Sequence, residues 1–177
     1  MSEIEVNPYS RYAGSFINIG KYAYNLKSIP NEIMLIGNSI NIDTEKVFID
    51  LINKNDKKQI IEMMKCISEE FKELPFKIND FSYSKLLAGQ GMEEKEDPKY
   101  YNPCVVVMNM GSDIELVLFD EKMRKQYPVM IPQRTMFLLE DKGFKFKRVI
   151  AKKQVDKVGQ EENVRSDRYS FVFKSRK

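Results

Sequence analysis

Apolar residues in the second half of the chain come in short runs with strand character. Residues 104–108 (Cys-Val-Val-Val-Met) and residues 114–119 (Ile-Glu-Leu-Val-Leu-Phe) are rich in β-branched residues and too short for helices. The segment Gly111-Ser-Asp113 between them is a turn signal, so the pattern predicts a hairpin at the centre of a β core. Three more runs follow at the spacing of a sandwich or barrel: residues 127–132, 135–139 and 169–173.

The first half of the chain contains a helical pattern. Apolar residues recur at spacings of four, three and four between residues 56 and 71, which places them on one face of a helix: Ile60, Met64, Ile67 and Phe71. Asp43 suits the N-cap of an earlier helix that ends near Asn53.

The remaining segments complete a predicted α+β fold with the helices outside one sheet. Residues 32–36 and 81–87 have strand character, and the charged residues 92–98 predict a solvated loop. Residues 1–30 mix aromatic residues with Gly, Ser and Asn without a period, so they are interpreted as an extended arm packed on a domain of residues 31–177. The aromatic residues of this arm are expected to be core anchors rather than a base-stacking platform.

The chain has no histidine, which excludes several kinds of catalytic and metal site. Catalytic triads, HExxH zinc sites and the two-His-one-carboxylate iron site all need imidazole. Cys66 and Cys104 lie far apart without CxxC spacing, and we expect both to behave as small buried apolar residues. No apolar run approaches the roughly 20 residues of a membrane helix and no signal peptide is visible, so we expect an intracellular protein, cytoplasmic or nuclear, with no membrane partner.

Positive charge is concentrated in the C-terminal third of the chain. Residues 142–177 hold twelve Lys and Arg against four Asp and Glu, an asymmetry that favours a polyanionic partner. Tyr100 and Tyr101 are possible stacking partners for bases. For any single lysine a solvated surface charge is the more frequent role, so the cluster is better evidence than its members. The candidate nucleic-acid contacts are Lys145, Lys147, Arg148, Lys152, Lys153, Arg165 and Arg168.

Six short motifs stand in a characteristic order: Ile33-Met-Leu-Ile36, Leu87-Ala-Gly-Gln-Gly-Met92, Val106-Val-Met-Asn-Met-Gly-Ser112, Ile131-Pro-Gln-Arg-Thr135, Phe144-Lys-Phe-Lys-Arg-Val-Ile150, and the segment from Arg168 to Lys174. Together they resemble the AlkB-type 2-oxoglutarate/Fe(II) oxygenases, and most closely the branch that acts on modified wobble uridines of tRNA. The resemblance implies a double-stranded β-helix, or jelly roll, with supporting helices in the N-terminal half.

The resemblance also assigns the metal positions, and these are altered. The family's His-x-Asp motif falls on Lys95-Glu-Asp97, and its second His falls on Arg148. Protonated Lys and Arg have no lone pair for Fe(II), and Asp97 alone does not hold a divalent ion against water. We therefore expect no metal and no cofactor, and we expect Asp97 to be held by Arg148, Lys95 or both.

The cosubstrate positions are altered as well. The family's Asn and Tyr for 2-oxoglutarate become Ser84 and Leu86, and its two arginines fall on Arg168 and Lys174. Lysine pairs with a carboxylate but cannot make the bidentate fork of arginine. Arg168 and Lys174 remain the candidate cosubstrate residues, although ordinary charges flanking a terminal strand are at least as good an interpretation.

The favoured function is a catalytically inactive AlkB-like domain with a basic surface that binds RNA, tRNA in particular, or supports a nucleic-acid modification complex. An alternative is a protein-interaction or regulatory subunit, for example for a tRNA-modifying enzyme. A second alternative is an active oxygenase with atypical metal ligands.

Overall fold

The computed structural model describes residues 15–19, 22–39, 46–48, 54–72, 74–95, 99–122, 124–140, 143–158 and 160–177. In these ranges the helices are α1 (Asn31–Ser39) and α2 (Lys54–Glu70), and a 3-10 turn spans Gly143–Lys145. The strands are β1 (Ser15–Ile19), β2 (Tyr22–Ser28), β3 (Lys46–Phe48), β4 (Asp80–Leu86), β5 (Met92–Glu94), β6 (Tyr101–Met110), β7 (Ile114–Asp120), β8 (Lys125–Ile131), β9 (Thr135–Glu140), β10 (Lys147–Ile150), β11 (Val155–Val158), β12 (Glu161–Val164) and β13 (Arg168–Arg176).

The strands form a jelly roll of two main antiparallel sheets. One sheet has seven strands in the order β1-β2-β9-β6-β13-β4-β3, and the other has four in the order β5-β10-β7-β8. From β4 to β10 the chain passes repeatedly between the two sheets, and β13 returns it to the larger one. The hairpin β11-β12 stands apart as a two-stranded sheet. The predicted α+β class and double-stranded β-helix are confirmed.

Two apolar cores hold the layers together. The first lies between the two main sheets and is filled by buried side chains such as Val107, Leu116, Phe137, Phe146 and Val172. The second lies between the larger sheet and the helices. It combines Ile33 of α1 and Ile67 of α2 with Phe81, Val106 and Phe171. Residues of one strand alternate between the two cores because successive side chains point to opposite faces.

The helices agree with the sequence pattern in one case and not in the other. The predicted stripe of Ile60, Met64, Ile67 and Phe71 is buried, which confirms α2. The predicted strand at residues 32–36 was wrong, because this segment lies in α1, where Ile33 is buried against the sheet. A helix from Asp43 to Asn53 was also wrong at residues 46–48, which pair with β4 as β3, and the rest of that segment lies outside the described residues.

The predicted central hairpin is the main correction to the topology. Its two runs are strands β6 and β7, as expected, but β6 pairs with β9 and β13 whereas β7 pairs with β8 and β10. The turn at Gly111 therefore carries the chain from one sheet to the other. Gly111 has φ +93° there, and a Cβ would lie 2.4 Å from the carbonyl oxygen of Asp167.

The segments predicted as an arm and as a solvated loop both contain strands. Within the segment interpreted as an arm, β1 and β2 extend the larger sheet by pairing with β9. Within the predicted loop at 92–98, residues 92–94 form β5, which was not foreseen.

Cys104 is buried, which raises the pKa of its thiol to about 11, whereas Cys66 is only half-buried. Neither described helix combines the length and apolar character of a membrane span.

Asn109 fixes the two loops at one end of the jelly roll. Its side chain is fully buried, and Nδ2 donates to the carbonyl oxygens of Ser112, Ile131 and Pro132 at 3.0 to 3.2 Å. Oδ1 accepts a short hydrogen bond from Nε of Arg168. One amide thus joins the turn after β6, the end of β8 and the start of β13.

We expect Asn109→Ala to lower the free energy of unfolding by about 3 kcal/mol or more, because buried carbonyl groups and a guanidinium lose their partner. Asn79→Ala is the matched control. Asn79 also bonds twice to the backbone, at Arg176, but it is exposed and water replaces those bonds. It should cost less than about 1 kcal/mol. Urea unfolding of both variants measures the difference, and equal losses would contradict the role of Asn109.

Candidate functional site

The jelly roll has two ends, which we name after the arginine buried at each. At the Arg148 end β5, β7, β9 and β13 finish, and β6, β8 and β10 begin. At the Arg168 end lie the short connections from β6 to β7 and from β8 to β9, together with the start of β13. Lys95 and Arg148, two of the three metal positions implied by the sequence resemblance, fall at the first end. Arg168 lies at the second, six residues along β13 from Lys174.

Arg148 forms a buried ion pair across the smaller sheet. It lies on β10 opposite Glu94 of β5 and Leu118 of β7, on the face that points into the jelly roll. Nη2 lies 2.5 Å from Oε2 of Glu94, and the side chains are 2% and 18% exposed. A guanidinium in such surroundings keeps its charge, so a carboxylate at bonding distance is what makes its burial tolerable.

The other two metal positions do not join this pair in the described part of the chain. Nζ of Lys95 lies 2.6 Å from Oε2 of Glu121, and both side chains are about half exposed. The hydrogen bond from Lys95 lowers the pKa of the Glu121 carboxyl. Asp97 lies outside the described residues, so its expected pairing with Arg148 or Lys95 stays a prediction.

Glu94 was missed by sequence reasoning. The residue lies in the charged segment interpreted as a loop, so nothing in the local sequence pointed inward. The signal that identifies it is the cross-strand register, which sets Glu94 opposite Arg148. Residues directly opposite in an antiparallel pair point to the same face of the sheet.

The described residues at the Arg148 end do not fit a divalent metal. Arg148 offers only N–H donors, and the Glu94 carboxylate is engaged by that guanidinium. Among the residues that the structure describes, no group of three or more Cys, Asp or Glu side chains could hold an ion.

The cosubstrate positions do not fit 2-oxoglutarate either. The Ser84 and Ser170 hydroxyls bond each other at 2.7 Å. Leu86, opposite Arg168, packs against the inner apolar core. Arg168 is 3% exposed and donates to Asn109, and Nζ of Lys174 lies 4.9 Å from the centre of the Tyr101 ring.

A third buried arginine ties the β11-β12 hairpin to the body of the domain. Arg165 and Asp156 are almost fully buried, and Nε and Nη2 of Arg165 donate to the Asp156 carboxylate at 2.7 to 3.0 Å. Nη1 donates to the carbonyl oxygens of Gln90 and Ala151. The interaction is structural, since these contacts of the guanidinium all lie within the fold.

The basic residues singled out in the sequence are either buried arginines or lysines at least partly exposed at the surface. The lysines form two pairs, one at each end of β10. Arg148, Arg165 and Arg168 are buried and bonded internally. Lys145 and Lys147 lie at the Arg148 end, where Lys147 pairs with Glu93 at 3.0 Å. Four lysines are at least partly exposed: Lys145, Lys147, Lys152 and Lys153.

Lys152 and Lys153 follow the other end of β10. Nζ of Lys153 lies 2.8 Å from Oε2 of Glu115, and Lys152 is exposed. A strand rises about 3.3 Å per residue, so β10 alone separates the two lysine pairs by roughly 10 Å. The structure therefore places the two lysine pairs at opposite ends of β10.

Known structures share this fold at low sequence identity. A prolyl-4-hydroxylase from Pseudomonas putida superposes with a TM-score of 0.55 at 8% identity, covering 89% of this chain and 94% of that one. A 2OG-Fe(II) oxygenase family oxidoreductase from Burkholderia pseudomallei gives 0.56 at 11% identity, covering 85% and 82%. OsALKBH1 gives 0.47 at 12%, covering 70% and 66%. No protein-family model and no curated protein sequence matches. The fold is that of 2OG-Fe(II) oxygenases.

We expect Arg148→Met to lower the free energy of unfolding by about 3 kcal/mol, because Glu94 is left as a buried charge without its partner. Adding Glu94→Leu should recover most of this loss, which gives a coupling well above ~1 kcal/mol in a double-mutant cycle. The Lys95 and Glu121 pair, one residue further along and half exposed, is the control and should couple by about 0 to 1 kcal/mol. Equal coupling in both cycles, measured by urea unfolding, would contradict the assignment.

Proposed function

We propose that this chain is a catalytically inactive AlkB-like domain that binds RNA through a basic surface at the Arg148 end. The observation that carries the inactivity is the buried pair of Arg148 and Glu94. Arg148 stands where the sequence resemblance puts a metal ligand, but its guanidinium has no lone pair for a metal. The Glu94 carboxylate is already bound to that guanidinium.

The filled interior supports the same proposal. Leu86 and Val172 face the inner core, together with Ile150 from the opposite sheet. Side chains of this kind offer an anionic cosubstrate no hydrogen bonds. The inner core thus stabilises the fold in the region that the resemblance assigns to cosubstrate binding.

The RNA-binding part of the proposal rests on exposed cations at the Arg148 end. Lys145 closes the 3-10 turn, and Lys122 and Arg124 are exposed in the turn between β7 and β8. The basic C-terminus ends beside the start of β6, where Lys177 N donates to the carbonyl oxygen of Tyr100 at 3.0 Å. Clustered cations at the rim of a domain favour a polyanion.

The finer identity of the partner is part of the proposal. The sequence resemblance to the wobble-uridine branch favours tRNA, or a tRNA-modifying protein that this domain supports. An RNA complex should dissociate as salt is raised, whereas a protein complex held by apolar contacts should persist in high salt.

We expect purified protein to bind no Fe(II) or Mn(II) stoichiometrically and to release no succinate or CO2 from 2-oxoglutarate above background. The reason is the donor set, in which Arg148 and Lys95 stand at positions that need neutral ligands. Metal analysis and a coupled decarboxylation assay test this. Turnover that Asp97→Ala abolishes would overturn the inactivity and favour an oxygenase with atypical ligands.

We expect removal of two charges at the Arg148 end to weaken RNA binding more than removal of two at the other end. Log affinity decreases linearly with log salt concentration, and each phosphate contact on a single strand contributes about 0.7 to the steepness of this decrease. The double variant Lys145→Gln with Lys147→Gln loses two contacts, so its slope should be about 1.4 less steep than that of the wild type. Lys152→Gln with Lys153→Gln is the matched control, since each pair has one exposed lysine and one lysine bound to a glutamate. Fluorescence anisotropy of a labelled single-stranded RNA between about 50 and 200 mM salt, the range where such contacts dominate, measures both.

Two results would contradict this proposal. Wild-type protein that binds no RNA even at low salt would leave the lysines as a solvated surface. A larger loss in the Lys152 and Lys153 variant would move the interface to the Arg168 end.

A further inference from the structure

We infer that Tyr100 is a stacking site for one unpaired RNA base, on the path of a single strand across the Arg148 end of the larger sheet. The inference rests on the proposed RNA binding and deepens it, because it selects single-stranded over duplex RNA.

The first argument is the exposure of the ring. Tyr100 is 63% exposed, one of the large apolar or aromatic side chains that the described fold leaves in solvent. Its neighbour Tyr101 begins β6 and packs against the inner core, under the ammonium of Lys174. Tyr101 therefore has a structural role in the domain. The side chain of Tyr100 is largely exposed to solvent, and an apolar or aromatic partner would cover it.

The second argument is that the backbone beneath the ring is fixed. The carbonyl oxygen of Tyr100 accepts the Lys177 N–H, and Arg176 lies opposite Tyr101 in the sheet. Because this backbone is already positioned, stacking a base on the ring costs the conformational entropy of the side chain but not that of the backbone.

The third argument is the charge around the ring. Lys99 precedes Tyr100 in the chain, and the backbone of Lys177 lies across from it. The Arg176 side chain is 58% exposed, and its Nη2 lies 3.7 Å from Oδ2 of Asp80. An exposed aromatic ring in a cationic part of the chain suits a base and its flanking phosphates, and bases in a duplex cannot present their faces in this way.

The absence of tryptophan from the sequence allows a direct test. Tyr100→Trp introduces the only indole of the chain at the site, and Leu35→Trp, at an exposed position on α1, is the matched control. A short oligouridylate should quench the indole of the Tyr100→Trp variant with the same midpoint as its anisotropy titration. It should leave the fluorescence of the Leu35→Trp variant unchanged. Polyphosphate, which has the charge but no bases, should quench neither.

A second measurement uses the side chain itself. Tyr100→Ala should weaken binding of the oligouridylate by about tenfold and leave the salt slope unchanged, while Tyr100→Phe keeps wild-type affinity. Because the ring is exposed and the backbone bond is retained, both variants should fold, which circular dichroism checks.

The outcomes separate this inference from the proposed function. If anisotropy reports bound RNA but the indole of Tyr100→Trp is not quenched, or if polyphosphate quenches it equally, the stacking site is wrong and the basic surface stands. If the RNA does not bind at all, both are wrong.

Discussion

The permanent charge of arginine is the constraint that governs this fold. Arg148, Arg165 and Arg168 are all buried, and a guanidinium does not lose its proton to escape that environment. Each therefore needs acceptors within reach, and each acceptor comes from a different element. Glu94 joins β5 to β10, and Asn109 joins Arg168 to the loops at one end. Arg165 pairs with Asp156 of β11 and joins the β11-β12 hairpin to the domain through the carbonyl oxygens of Gln90 and Ala151. Breaking such a pair on one side costs several kcal/mol, so these contacts select the register as well as stabilise it.

This constraint also supports the proposal that the domain is catalytically inactive. A site for metal and cosubstrate needs inward-facing groups with lone pairs and open valences. Here Arg148 of β10 and Arg168 of β13 are inward-facing donors held by Glu94 and Asn109, although Nη1 of Arg148 has no hydrogen-bond partner among the described residues, and apolar side chains fill the inner core. The inner core is packed with apolar side chains, which stabilises the jelly roll, and we propose that its function lies at the surface.

Much of the fold could be predicted from local sequence, and the failures have a common cause. The strands at residues 104–108 and 114–119 were predictable because β-branched runs have few alternatives. Their pairing was not, because the partner of each strand lies elsewhere in the chain and Gly111 marks a turn without saying which sheet follows. The segment 31–39 is helical because packing of Ile33 against the larger sheet overrides its strand-like composition. Glu94 became part of the candidate site only through its cross-strand partner.

The basic C-terminal third illustrates the same limit for function. Its count of charges includes three arginines that serve the interior, while the lysines singled out with them lie at least partly in solvent. The division follows residue type. Arginine presents several donors in a fixed plane and is weakly hydrated, so it can be satisfied inside a protein, whereas the compact lysine ammonium keeps its water. A polyanion that approaches this domain therefore meets the exposed lysines together with Arg124 and Arg176, and the surface potential depends on how many of these cations a neighbouring carboxylate already neutralises. At the Arg148 end Glu93 engages Lys147, but Lys145 has no carboxylate partner among the described residues. The proposed RNA surface is thus expected to be electrostatically modest, and a base on the Tyr100 ring would add the short-range affinity that charge alone does not give.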